Sequence, residues 1–344
     1  LAVVPHLLGF HPAKSLVVLG IGGQHGRIRL AFRYDLPDPP DARLSADIAA
    51  HAATVLDREH LTMAIVIGYG PGQAVTGVTD VVVPALRRAS IAISDILRVH
   101  DGRYWSYLCS DPRCCPPEGM PYDPASHPAA AALEAAGLAA RTDRAALAGT
   151  LARTAEAIEP MAQAVERARH RAGRLIEESL QVAGGGDVLQ SIADAGRRSV
   201  RQAVTRCRRG IEIADLDEIA WLGFSLTDLR VRDDAWARMD PKFNDAHQRL
   251  WAHLVRLLPA ELVPAPAALL AFTAWQSGDG ALASIAIERA LGADPEYSMA
   301  LLIADALHAG LPPSAARLSM TPKQVAASYA RHRKATGTQS RRRG

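Results

Sequence analysis

Near residue 126 the spacing of apolar side chains changes, and no single-layer fold accommodates both halves of the chain. Upstream, short apolar runs alternate with helical stripes. "SLVVLGIGG" (15–23) is a buried strand, and "RIRLAFRYDLP" (27–37) repeats with the period of two of a strand with one covered face. The intervening "GGQHG" supplies the conformational freedom of a hairpin turn. "SADIAAHAATVLDRE" (45–59) starts on a serine N-cap and carries a helical stripe. "LTMAIVIGYG" (61–70) is again a strand, "TGVTDVVVPALRRAS" (76–90) a helix, and 93–100 and 102–108 two further strands. Strand alternating with helix predicts an α/β domain over 1–125.

Downstream, "SHPAAAALEAAGLAARTDRAALAGTLAR" and "MAQAVERARHRAGRLIEESLQVA" are rich in Ala, Leu, Glu and Arg with helical spacing. "GGGD" (184–187) interrupts them, with Asp187 placed to cap the next helix. Helices are expected at 188–208, 215–229 and 244–258, giving an all-α helical domain over 126–330. "AFTAWQSGDGALASIAIERALGADPEY" (271–297) orders its small and turn residues as a tetratricopeptide-like helical hairpin: Gly278 and Asp279 at the turn, Ala283 and Ala290 at close contacts, Pro295 at the end. A lone repeat makes no superhelical groove, so this pair belongs inside a larger bundle.

Residues 331–344 carry six basic side chains and no acid, which leaves the rest of the chain at −3 against a total of +3. Such a segment cannot bury enough apolar surface to order itself and is read as a disordered basic tail, able to make weak nonspecific contact with nucleic acid. No apolar run reaches the roughly 18 residues of a membrane span, and the opening "LAVVPHLLGF" lacks the basic stretch of a secretory signal. Four cysteines in 344 residues do not make a disulfide framework. The expectation is a cytoplasmic protein with reduced thiols.

Three of those cysteines fall within seven positions of "GRYWSYLCSDPRCCPPEG" (102–119). The spacing of Cys109 and Cys114 fits one arm of a zinc knuckle. Cys115 adjoins Cys114, however, and neighbouring side chains of an extended backbone point apart, so His127 or Asp111 would be needed to complete a metal site. A redox pair of Cys109 and Cys114 is a second alternative, with Arg103 and Arg113 favouring thiolates. The third is a rigid loop in which Pro112, Pro116 and Pro117 restrict the backbone around small buried cysteines. No cofactor is expected on balance, and zinc is the exception the spacing admits.

Gly68, Gly70 and Gly72 of "VIGYGPGQAVT" lie between a strand and a helix, where exposed N–H groups can cradle a phosphate. The spacing matches neither a dinucleotide nor a Walker fingerprint. In an open α/β sheet this is nonetheless the edge where ligands bind, so these glycines, with Arg103 and Trp105, are the ligand-binding candidates. "GRRSVRQAVTRCRRG" (196–210) places six arginines on one helix, read as a salt-bridged solvated face rather than a phosphate stripe. His6, His11, Lys14 and Ser15 flank the first strand without nucleophile–base spacing, and no catalytic residue is assigned.

"PHLLGFHPAKSLVVLGI", "RYDLP", "GRYWSYLCSDPRCCPPEG" and "AWQSGDGALASIAIERALGADPEYSMA" together resemble the actinobacterial domain-of-unknown-function family 4192 over most of 4–310. The resemblance implies a cytosolic actinobacterial protein and no activity. The leading functional reading is a non-catalytic regulatory or interaction protein whose helical domain binds a protein partner. The alternative is an enzyme binding a phosphate-containing small molecule between the glycine turn and the cysteine loop.

Overall fold

The computed structural model describes residues 1–23, 26–182, 188–316 and 320–329. The middle of the hairpin turn, the 184–187 break with its Asp187 cap, and the basic tail 331–344 lie outside the described residues. A sheet-containing region is followed by a helix-rich one, and the chain divides into two compact units, Leu1–Leu147 and Ala148–Gly344.

In the first unit six strands, β1 (Ser15–Gly22), β2 (Arg27–Asp35), β3 (Met63–Tyr69), β4 (Ala92–His100), β5 (Arg103–Ser106) and β6 (Met120–Pro121), form one sheet in the order β2-β1-β3-β4-β5-β6. Only β3 and β4 run parallel. A parallel pair needs a crossover, and it is supplied by the helix that follows the glycine turn. The helices here are α1 (Val4–Leu8), α2 (Ala42–Arg58), α3 (Gly72–Arg88) and α4 (Pro128–Ala135); α5 (Arg144–Gly149) runs across the division. Asp41 caps α2 by accepting from the amides of Arg43 and Leu44. α2 and α3 lay Ile48, Ala52, Leu56, Val75, Val78 and Val82 onto Leu16, Val18, Ala64, Val66 and Ile96 of one sheet face.

The second unit holds α6 (Ile158–Val182), α7 (Val188–Arg208), α8 (Leu216–Ser225), α9 (Leu229–Ala237), α10 (Asn244–Leu257), α11 (Pro264–Gln276), α12 (Gly280–Ala293) and α13 (Ser298–His308). α11 is buried from Pro264 to Trp275, with α10, α12 and α13 packed on it. α11 and α12 form a hairpin with Gly278 (φ 81°) in its turn and Asp279 accepting from the Leu282 amide. Ala283 and Ala290 are fully buried, features common to closely packed helical hairpins.

Two stretches read as continuous helix are broken. Over 126–153 the first helix stops at Gly137 (φ 85°), where the Leu138 amide returns to the Leu133 carbonyl, a left-handed C-terminal stop that glycine adopts without penalty. Over 215–229 the helix ends at Ser225, because Asp228 caps a new one by accepting from the Arg230 amide.

Candidate functional site

The sheet's far edge is built on four layers. Gly68 pairs with Arg98, and Arg98 with Trp105, so Arg98 lies on the α3 side of the sheet. Its guanidinium carbon sits 3.5 Å from the centre of the Trp105 ring. A Cβ added to Gly72 would lie 2.5 Å from Arg98 Nη1, and one added to Gly119 would lie 2.4 Å from the Trp105 indole. Gly72, Arg98, Trp105 and Gly119 therefore stack without space for another side chain at either end. Gly68 has a packing reason too: its Cβ would meet Val75 at 2.3 Å. Gly70 has φ 159°, and a Cβ there would touch Leu36 at 3.0 Å. Of the ligand-binding candidates, Gly72 and Trp105 are thus brought together through Arg98, and Gly68 and Gly70 face the core.

Arg103 lies in β5, where its Nη1 donates to the Gly119 carbonyl at 2.8 Å, and Trp105 Nε1 donates to the Pro117 carbonyl at 2.9 Å. These two bonds fasten the proline-bounded loop along the strand. The Ser106 hydroxyl accepts from the amides of Leu108 and Cys109, and donates to Asp95 Oδ1 at 2.8 Å. On the opposite face Tyr104 meets Tyr122 edge-on at 6.4 Å, and burial raises the Tyr122 hydroxyl to about 12.

The Sγ atoms of Cys109, Cys114 and Cys115 all lie within 4.8 Å of one another. This corrects the expectation that Cys114 and Cys115 point apart. That expectation assumed an extended backbone, whereas residues 112–114 form a turn in which the amides of both Cys114 (3.0 Å) and Cys115 (2.8 Å) donate to the Asp111 carbonyl. Both thiols consequently project toward Cys109. Hydrogen bonding from Cys115 and from the Asp111 backbone draws the Cys109 thiol below its ordinary range. The same hydrogen bond, made as donor, pushes Cys115 up to about 12. Cys109 and Cys115 are half-buried and Cys114 is exposed. Asp111 is engaged by Arg113, which donates to both its carboxylate oxygens at 3.1 and 2.9 Å, and Cys207 lies in the second unit, donating to the Ala246 carbonyl.

Arg98 was absent from the sequence-derived candidates. Its signal is a lone cation inside the apolar strand "ISDILRVH", and its register opposite a glycine and a tryptophan is set by non-local pairing. Its Nε is buried with no hydrogen-bond partner, and α3 begins at Gly72 with no side-chain cap.

In the second unit the arginine helix α7 is tied down by acids and aromatics. Arg197 pairs with Asp194, Arg206 with Glu218 at 2.6 Å, and Arg208 lies 4.9 Å over the Phe243 ring. Charge is also buried: Asp234 is 2% exposed and accepts from Arg238 at 2.6 and 3.0 Å. Aliphatic side chains face outward at the end shared by α6 and α7, where Leu180 and Leu189 are 55% and 64% exposed and Ile176 joins them. Arg230 Nη2 donates to the Leu189 carbonyl at 2.9 Å and so keeps the exposed Leu229 at the same end.

The fold and site define a two-unit protein: an α/β sheet unit bearing a three-thiol loop, and a helical unit with an apolar outer end. The chain belongs to the family described as domain of unknown function (DUF4192), whose model matches residues 1–314. No curated protein and no solved structure matches the chain. No helix among the described residues is long and apolar enough to cross a membrane.

Proposed function

We propose that this chain is a non-catalytic interaction protein whose helical unit docks a protein partner. The observation that carries this reading is the exposure, by a third or more, of Leu180, Leu189, Leu229 and Ile176 near the α6–α7 end. Exposed aliphatics of this kind favour covering by another protein surface. Arg197, Arg206 and Arg208 of α7 are occupied within the unit, whereas Arg198, Arg201 and the following Arg209 are exposed, so only part of that helix is open to a phosphate backbone. A photo-crosslinking residue placed at Leu180 or Leu189 is expected to capture one protein of defined mass in the cells that make this chain. The same probe at Met63, exposed in the sheet unit, is the control. Equal capture at all three positions, or none at Leu180 and Leu189, contradicts the reading.

One observation favours a second reading, binding of a small anion such as a phosphate at the start of α3. A guanidinium beside an uncapped helix N-terminus sets positive charge against the positive end of the helix dipole, and an anion bound alongside both relieves that. Arg98 is so placed, and its Nε has no partner. Thermal stabilisation by inorganic phosphate or pyrophosphate, abolished in Arg98→Gln, is the expected result; equal stabilisation in both proteins contradicts it.

A further inference from the structure

We propose that Cys109, Cys114 and Cys115 form a three-thiolate site for a thiophilic divalent cation, zinc in the first instance. This is separate from the partner-docking reading, which involves other residues in the other unit.

The geometry is that of a ligand set. Tetrahedral zinc with Zn–S bonds of about 2.3 Å holds its sulfurs roughly 3.8 Å apart. Three Sγ atoms already within 4.8 Å need only small side-chain rotations to reach that spacing. Two adjacent cysteines seldom serve one metal, because an extended chain sends them to opposite sides. Here the turn on the Asp111 carbonyl removes that obstacle, since both following amides bond to it and both thiols face Cys109.

The loop is also held before any ion arrives. Trp105 Nε1 and Arg103 Nη1 fix its far side through the carbonyls of Pro117 and Gly119, and Ser106 Oγ fixes its near side through the Cys109 amide. Little chain entropy is then left to lose on binding. Asp111 is taken up by Arg113, so the set offers three sulfurs. The exposed side at Cys114 leaves the fourth position to water or a small ligand. A disulfide between any two of these thiols would leave the third without a partner, whereas one soft cation uses all three.

The test uses the untagged chain, purified anaerobically under reducing conditions. Metal content is measured by mass spectrometry, and the metal-free protein is titrated with Cd2+, following thiolate-to-metal charge-transfer absorption. Stoichiometric zinc and a saturable absorption band are expected for the wild type and for Cys207→Ser. Each of Cys109→Ser, Cys114→Ser and Cys115→Ser should lose stoichiometric zinc while keeping the circular dichroism of the metal-free wild type. If a serine variant fails to fold, the Cd2+ titration of the folded wild type carries the test by itself. A wild type that neither retains zinc nor develops the band overturns the proposal. So does zinc retained equally by folded serine variants, or an intact mass showing two of the three thiols joined as a disulfide.

Discussion

The two units treat charge in opposite ways, although both set glycines where a neighbouring side chain needs room, Gly196 and Gly223 doing so in the helical unit. In the sheet unit, glycines stand wherever a large side chain needs room: Gly20 under Leu56 and Leu61, Gly68 under Val75, Gly72 against Arg98 and Gly119 against Trp105. The polar chemistry is thereby gathered on one edge, in a loop fixed by few hydrogen bonds. In the helical unit the interior takes in charge, with Arg232 and Asp234 buried, while Leu180 and Leu189 sit outside. A sheet edge can concentrate a small-ligand site because strand register places side chains opposite one another. A helical bundle distributes its contacts, so what it offers outward is a surface.

The largest effect that would sharpen this contrast lies in the helical unit. Asp234→Ala leaves Arg238 without its carboxylate in a largely buried setting, which is expected to cost about 3–5 kcal/mol of unfolding free energy in urea titration. A loss below about 1 kcal/mol, the range of surface pairs, would show that the buried charges there are incidental.

Next comes the glycine that backs Trp105. Gly119→Ala forces a Cβ into the indole from a backbone at φ 82° and should destabilise by about 2–4 kcal/mol, left-handed strain and overpacking together. Gly137→Ala is the comparison, because its φ is 85° with nothing within 4 Å. It should show the strain alone, about 1–2 kcal/mol. Equal losses would mean that the four-layer stack is not holding the edge.

A smaller effect depends on pH. Burial, with Arg208 beside it, lowers His247 to about 4 from its ordinary 6.5, against a weaker opposing pull from Asp240. The folded protein therefore holds this imidazole neutral, accepting at Nε2 from the Asp240 amide at 3.4 Å. Unfolding releases it to take up a proton, so its contribution is intact above about pH 6.5 and is lost as pH falls toward 4. The amount is on the order of 3 kcal/mol. Stability measured against pH should fall less steeply over this window in His247→Asn than in the wild type; parallel curves would contradict the assignment.

The strands were legible because their apolar runs are short, bounded by turn residues and flanked by helical stripes. "SLVVLGIGG" and "LTMAIVIGYG" became the adjacent antiparallel strands β1 and β3. What was not legible depended on backbone geometry or on distant pairing. Gly137 and Asp228 stop helices whose stripes continue past them. The cysteine spacing was visible, but not the turn at Asp111 that brings Cys114 and Cys115 to one side. Arg98 could be seen as a cation within an apolar strand, yet only the β4–β5 register places it under Trp105. The outward leucines of α6 and α7 belong to the same helical stripes as the buried residues, and only packing distinguishes them.

The central claim, that the helical unit presents its apolar end to a protein partner, is tested most directly by native mass spectrometry of two proteins isolated gently from the cells that make this chain. One is the wild type and the other the double variant Leu180→Asp, Leu189→Asp, whose exposed positions should leave its melting temperature unchanged within the small range of surface substitutions. The account predicts a wild-type complex of one defined additional mass that is missing from the folded double variant. The same complex in both, or the bare chain in both, would contradict it.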